Sequence, residues 1–141
     1  MAGLRRRATA VVIKNGKVLL VRDKGKQNFS LPGGGIHRDE PTLSAAIREL
    51  YEETGLRATK AIRLRDCDYE GSKNEYRVCL IEANGEVRLK HEIDRFVWWD
   101  MKQTLPVYPH VRYIPSKLMV RNQRRTEKRF SSSLPSQVRL H

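Results

Sequence analysis

Glu49, Glu52 and Glu53 stand at i, i+3 and i+4 within Arg48-Glu49-Leu50-Tyr51-Glu52-Glu53-Thr54-Gly55, a stretch that reads as helix. Side chains so spaced share one helix face, which brings three carboxylates within a few ångströms of one another. Like charges held that close repel, and some must take up a proton unless a cation joins them. Ligands that are all oxygen favour a hard divalent ion, Mg2+ or alternatively Mn2+, over zinc. Arg48 precedes the cluster and is placed to pair with Glu52 at i+4 or to orient a neighbouring carboxylate. On their own, three glutamates and an arginine also describe an ordinary solvated helix face.

The elements that must hold the cluster can be read around it. Pro41 suits the first turn of a helix, with Asp39 and Glu40 at its positive end, and Gly55 suits the C-terminal cap. The spacing therefore predicts a helix from about 40 to 54, with Leu43, Ala46, Ile47 and Leu50 as its buried stripe. Before it, Pro32-Gly33-Gly34-Gly35 marks backbone that bends freely or approaches something closely. Ala8–Ile13 and Lys17–Arg22 form a hairpin about Asn15-Gly16, and a polar loop over Asp23–Asn28 leads through Phe29-Ser30-Leu31 to the glycines. After the helix come a strand over Ala58–Cys67, a turn at Gly71–Asn74, and a second hairpin of Glu75–Ala83 and Glu86–Lys90 about Asn84-Gly85. Arg95–Trp99 reads as the last strand, with one of Trp98 and Trp99 in the core and the other facing a pocket or solvent. Pro115 opens a helix into the tail, and Ser131-Ser132-Ser133-Leu134-Pro135 reads as polar linker. The expectation is α/β: a mixed sheet with a central helix and a C-terminal helix packed on it.

Composition narrows the class. The 141 residues suit one domain, and 39% hydrophobic content fills a modest core while 31% charged residues exclude a greasy chain. No apolar run reaches the roughly 18 residues of a membrane helix, and the apolar run behind Arg5-Arg6-Arg7 stops at Lys14-Asn15-Gly16, short of a signal-peptide core. Cys67 and Cys79 are too few for a disulfide framework and lack metal-finger spacing. These features point to a soluble cytoplasmic protein with two reduced thiols and no membrane partner. The net charge of +12 is concentrated at the ends: residues 111–141 hold eight Lys and Arg against the single acid Glu127. Such a tail attracts polyanions without naming one, so RNA is a candidate partner, although Arg121–Arg129 interleaves no aromatic residue with its charges.

A longer frame sets the glutamates apart from a solvated face. Gly34, five residues, Glu40, seven residues, then Arg48-Glu49-Leu50-Tyr51-Glu52-Glu53-Thr54-Gly55-Leu56 fixes seven identities and two apolar positions. Average residue usage makes chance agreement in one window on the order of 10⁻⁹. With this frame the chain resembles the Nudix hydrolases, whose 23-residue signature Gly34–Leu56 meets in full, and Phe29-Ser30-Leu31-Pro32-Gly33-Gly34 looks like the family's usual approach to it. The resemblance implies an α/β/α sandwich over residues 1–120, followed by a basic C-terminal tail at 121–141. It implies Mg2+-dependent hydrolysis of a pyrophosphate linkage in a nucleoside diphosphate joined to another group. Carried over by position, Gly34, Glu49, Glu52 and Glu53 are metal ligands, and Glu40 and Arg48 tie loop to helix. The general base implied is Glu49 or a later carboxylate, here Glu92 ahead of the last strand.

Around that core, Phe29, Gly33, Gly35, His37 and Lys26 are the expected substrate contacts, and His91 and His110 are expected at the surface. Phe29, Tyr76, Trp98 and Trp99 are the aromatic candidates for stacking on a base, while Arg5–Arg7 and Lys24 are further candidates to meet a polyphosphate. A (deoxy)nucleoside triphosphate is the leading substrate, then a nucleotide sugar, with 5′-triphosphorylated or capped RNA the version the tail favours. The alternative is a catalytically inactive Nudix-fold module that binds a nucleotide or RNA, which would have no use for three crowded carboxylates. Family members often form homodimers.

Overall fold

Short strands flank one helix, and a second helix is the last element of the described residues. The computed structural model describes residues 3–90 and 92–121. In chain order the elements are β1 (Arg5–Val11), β2 (Ile13–Lys14), β3 (Lys17–Asp23), β4 (Gly33–Gly35), α1 (Thr42–Thr54), β5 (Arg57–Arg63), β6 (Tyr69–Glu70), β7 (Asn74–Asn84) and β8 (Ile93–Trp99). A helix over residues 109–121, α2, follows. One sheet runs β4-β1-β7-β5, with β6 also on β7, and the other runs β2-β3-β8. β1 and β7 are parallel from Arg5↔Asn74 to Val11↔Leu80, whereas their other partners run antiparallel, so the sheet is mixed.

Strand alternation sends successive residues to opposite faces and builds two cores. Ala8, Ala10, Cys79 and Ile81 pack against Ala45, Ala46 and Leu50 of α1. On the other face Val11 and Val78 meet Val18, Leu20 and Trp99 together with Val111, Ile114 and Leu118 of α2. The result is the α/β/α sandwich. Trp99 is buried and donates its indole N–H to the Gln103 carbonyl at 2.8 Å, while Trp98 is half-buried on the α1 side, the division that alternation requires.

Local chemistry explains the boundaries. Asn15 and Gly16 take φ of 53° and 76°, the paired left-handed values of a tight hairpin turn, so β2 and β3 meet there. Gly55 caps α1 at φ 77°, returning its N–H to the Tyr51 carbonyl at 2.8 Å. Pro41 is the N-cap and not part of the first turn, and no acid occupies that turn: Asp39 is left-handed at φ 64°, and Glu40 turns away toward Arg48.

Three expected elements differ. Residues 86–90 form no strand, because the Arg88 and Lys90 N–H groups go to the carbonyls of Thr54 and Glu53, at 2.8 and 3.2 Å. They satisfy acceptors that the end of α1 leaves open, and a strand pairing would compete for the same donors. β5 ends at Arg63, where the chain turns through a short 3-10 segment, Arg65–Cys67. α2 begins at 109, with Pro109 in its first turn, six residues before Pro115. Cys67 and Cys79 are free and buried. Among the described residues no helix is long and apolar enough to cross a membrane. His91 and the tail from residue 122 onward lie outside the described residues.

Gly55→Ala places a Cβ at φ 77° and should cost about 1 kcal/mol. Thermal unfolding should then shift down by about 4 °C.

Candidate active site

Arg48 uses its whole guanidinium. Nε donates to Glu40 Oε2 at 2.8 Å and Nη2 donates to Glu40 Oε1 at 3.0 Å and to the Gly35 carbonyl at 3.2 Å. Nη1 donates to Glu49 Oε1 at 2.8 Å and to Glu52 Oε1 at 3.2 Å. Five bonds match the five N–H groups a guanidinium offers. Glu40 also accepts the His37 backbone N–H at 2.9 Å, and the Arg48 bonds, then that amide, hold its carboxyl down at about 2. One side chain thus joins the glycine strand, the loop before α1 and two glutamates of α1.

The glycines fit against the other side of the cluster. A Cβ on Gly34 would stand 2.5–2.6 Å from the Glu49 carboxyl atoms, and one on Gly33 would stand 2.2 Å from the Ala8 carbonyl oxygen. The Gly33 contact is with backbone, so only glycine there allows β4 to pair this closely with β1, whereas the Gly34 contact is with the end of a side chain. Gly33 donates its N–H to Glu53 Oε1 at 2.9 Å and accepts from Arg7 Nη2 at 3.1 Å. Burial pushes the Glu53 carboxyl up to about 8, against the Gly33 N–H; nearby Glu49 and Asp23 raise it further, and Arg7 lowers it.

Among the described residues, no three His, Cys, Asp or Glu side chains converge closely enough to hold a metal ion. The expected trio is split: Arg48 Nη1 bridges Glu49 and Glu52, and Glu53 faces the Gly33 amide. The donor chemistry still suits a hard divalent cation. Its ligands would be carboxylates and the Gly34 carbonyl, and the buried Glu53 carboxyl is held toward its neutral form by the lack of a nearby counter-charge strong enough to offset burial.

The expected substrate contacts separate. Gly33 and Gly35 are occupied within the protein, by Glu53 and Arg7 and by Arg48 respectively. His37 and Lys26 are exposed at the rim. Glu92 is exposed on the loop before β8, and its carbonyl accepts the Lys24 N–H at 2.7 Å, so this loop sits beside Asp23 and Lys24. Phe29 needs correction. It is 5% exposed in the α2-side core and bridges to Val107, so its ring steadies the approach loop and offers no face to a ligand.

His110, expected at the surface, is 3% exposed. Its Nε2 accepts the Leu31 N–H at 3.3 Å, its Nδ1 has no partner, and its ring stacks on Tyr76 at 4.1 Å and 11°. Burial, then Arg7, lowers its pKa to about 3. Arg7, which donates to the Gly33 carbonyl, pairs in register with Tyr76, and an aromatic cavity of about 520 Å3 is lined by Tyr69, Tyr76, Tyr108 and His110. Alternation along β7 puts Tyr76 on the face of Val78, but nothing local announces that the start of α2 brings His110 to it.

Folding with His110 neutral means that the unfolded chain binds more protons between pH 6.5 and about 3. Stability from this group is complete above pH 6.5 and is lost as pH falls toward 3. His110→Gln should flatten that acid limb of the stability–pH curve, measured by urea unfolding, while lowering stability at neutral pH.

The sequence matches the NUDIX domain over residues 4–118. The m7GpppN-mRNA hydrolase of Saccharomyces cerevisiae (strain ATCC 204508 / S288c) is 33% identical over 106 residues, which span 69% of this chain and 11% of that protein. An RNA pyrophosphohydrolase of Bartonella quintana (strain Toulouse) is 44% identical over 69 residues, 41% of this chain and 40% of that one. The chain thus spans well under two thirds of these curated relatives. The solved structure of a Nudix hydrolase family member from Chromobacterium violaceum superposes with a TM-score of 0.73 at 30% identity, covering 86% of this chain and 81% of that one. The glycine strand seated against the α1 glutamates, the two-sided sandwich and the domain match agree, and the chain belongs to the Nudix hydrolase family.

Proposed function

We propose that this protein hydrolyses a pyrophosphate linkage in a nucleotide with a divalent cation, Mg2+ or Mn2+, bound at Glu49, Glu52, Glu53 and the Gly34 carbonyl. The observation that carries this reading is the seating of Gly33-Gly34 against Glu49 and Glu53, which keeps crowded carboxylates next to an open glycine edge. Such a cation, when bound, neutralises charge on the bridging phosphates and lowers the pKa of a coordinated water. The chain's own groups do the rest. Arg48 holds Glu49 and Glu52 at a fixed spacing and ties them to the loop through Glu40. Arg7, anchored on the Gly33 carbonyl and in register with Tyr76, supplies a fixed positive charge for a polyphosphate joined to a nucleoside.

The two candidates to accept a proton from the attacking water are Glu49, against Gly34, and Glu92, on the exposed loop beside Lys24. The Tyr76–His110 stack and its cavity suit a nucleobase, with Arg7 directing the phosphates to the glutamates. A nucleoside 5′-triphosphate, free or at the end of an RNA, meets that description. The names of the yeast and Bartonella relatives support the RNA form. The intact Glu49, Glu52 and Glu53 speak against an inactive binding module.

Phosphate and pyrophosphate release should be followed over nucleoside triphosphates, nucleotide sugars and 5′-triphosphate RNA. Turnover should require the divalent ion, and Glu53→Gln should lower kcat at least about a hundredfold, some 2.7 kcal/mol of barrier. Persistent turnover in chelator, or in Glu53→Gln, would sink the metal reading. Tyr76→Ala should raise KM about tenfold with less change in kcat, the signature of lost base stacking. Loss of the acid limb of the pH–rate profile in Glu92→Gln, with the affinity for the divalent ion unchanged, would place the base on the later loop.

A further inference from the structure

From the catalytic face a second surface leads away, made of three adjoining depressions. The first, about 420 Å3, lies at the C-terminal end of α1 and is lined by Tyr51, Arg57, Arg88 and Lys90. It shares Asn84 and Gly85 with the second, about 280 Å3, whose wall includes Trp98 and Lys14. Those two residues are shared in turn with the third, about 280 Å3, which adds Lys17. Lysine and arginine supply five cations along this path, against the carboxylates of Glu82 and Glu86. Among the described residues none of the five is in a salt bridge.

Two aromatic rings stand on the path. Tyr51 is 37% exposed, with the Arg57 guanidinium 4.8 Å and the Lys90 ammonium 4.4 Å from its ring centre. Trp98 is the half-buried partner of the Trp pair and shows part of its ring to the second and third depressions. The path starts beside the catalytic residues: Lys90 donates its N–H to the Glu53 carbonyl at 3.2 Å, and Tyr51 directly precedes Glu52. A small anion needs one cradle. A run of cations with rings at intervals fits a linear polyanion that carries flat groups.

We propose that this groove is a track for single-stranded RNA whose 5′-triphosphate end occupies the glutamate site, an inference that rests on the hydrolase reading above for where the reacting end lies. Backbone phosphates meet Arg57, Arg88 and Lys90 and then Lys14 and Lys17, while bases stack on Tyr51 and Trp98. The track belongs to the folded domain, so its contribution is separate from that of the basic tail.

The test compares a fluorescently labelled 5′-triphosphate RNA of about 12 nucleotides with a free nucleoside triphosphate, in binding and in turnover, using the full chain. The combined Arg57→Gln, Arg88→Gln and Lys90→Gln variant should raise Kd and KM for the RNA about tenfold. The salt dependence of RNA binding should fall by about 2 in log–log slope, and turnover of the free nucleotide should stay unchanged. Lys14→Gln with Lys17→Gln, at the far end and exposed, should weaken RNA in the same way by a smaller factor. RNA affinity unmoved in both variants, or a wild-type chain that binds the RNA no better than the free nucleotide, overturns the track. Length-dependent RNA binding that the variants abolish, in a protein that hydrolyses neither substrate, would keep the track and sink the hydrolase reading.

Discussion

The arrangement depends on a guanidinium with no donor to spare. Crowding three carboxylates on one helix face is unfavourable unless positive charge is placed among them. Arg48 supplies it from the same helix, bridging Glu49 and Glu52 while gripping Glu40 with two parallel bonds. The planar fork matters: an ammonium is a point charge with three donors and cannot face a carboxylate in two places while reaching two others. Helix, preceding loop and glycine strand are therefore tied at one point, and the geometry of Glu49 and Glu52 follows from that tie.

The sheet supplies what the arginine cannot. β1 offers its carbonyls so closely to β4 that a methyl group on Gly33 would strike Ala8, and this tightness brings the Gly33 amide within 2.9 Å of Glu53. The α1-side core under it is made largely of small residues, Ala8, Ala10, Ala45 and Ala46, which let helix and sheet approach. Larger side chains fill the opposite core beneath α2, where the aromatic cavity opens. The small core sets the depth of the carboxylates, and the large one shapes the room beside them.

Most of the architecture was legible because it is written in local rules. Asn15-Gly16 announced a turn, Gly55 a helix end, and helical spacing the inward face of α1, where Ala46 and Leu50 are buried together with Ala45 while Leu43 and Ile47 are partly buried. The link of Glu40 to Arg48 was legible only through the family resemblance that the glutamate frame carries. What was missed depends on the tertiary fold. Glu86–Lys90 has the look of a strand, but its amides are claimed by a helix end over thirty residues earlier in the chain. Phe29 looks like a stacking platform until the fold buries it in the α2-side core beside Val107, and His110 looks solvated until α2 presses it onto Tyr76. Sequence periodicity registers faces of elements, not which elements meet.

The bonding of Arg88 and Lys90 to Thr54 and Glu53 joins two roles in one short segment. A loop between strands is ordinarily where a fold tolerates insertion and drift, since few interactions hold it. Here the loop finishes the helix that carries Glu49, Glu52 and Glu53, and its amides close the carbonyls at the end of that helix. Freedom to vary is left to its outward side chains, and the length and path of the segment are constrained by the chemistry two residues away. A peripheral surface is in this sense part of the framework that holds the three glutamates.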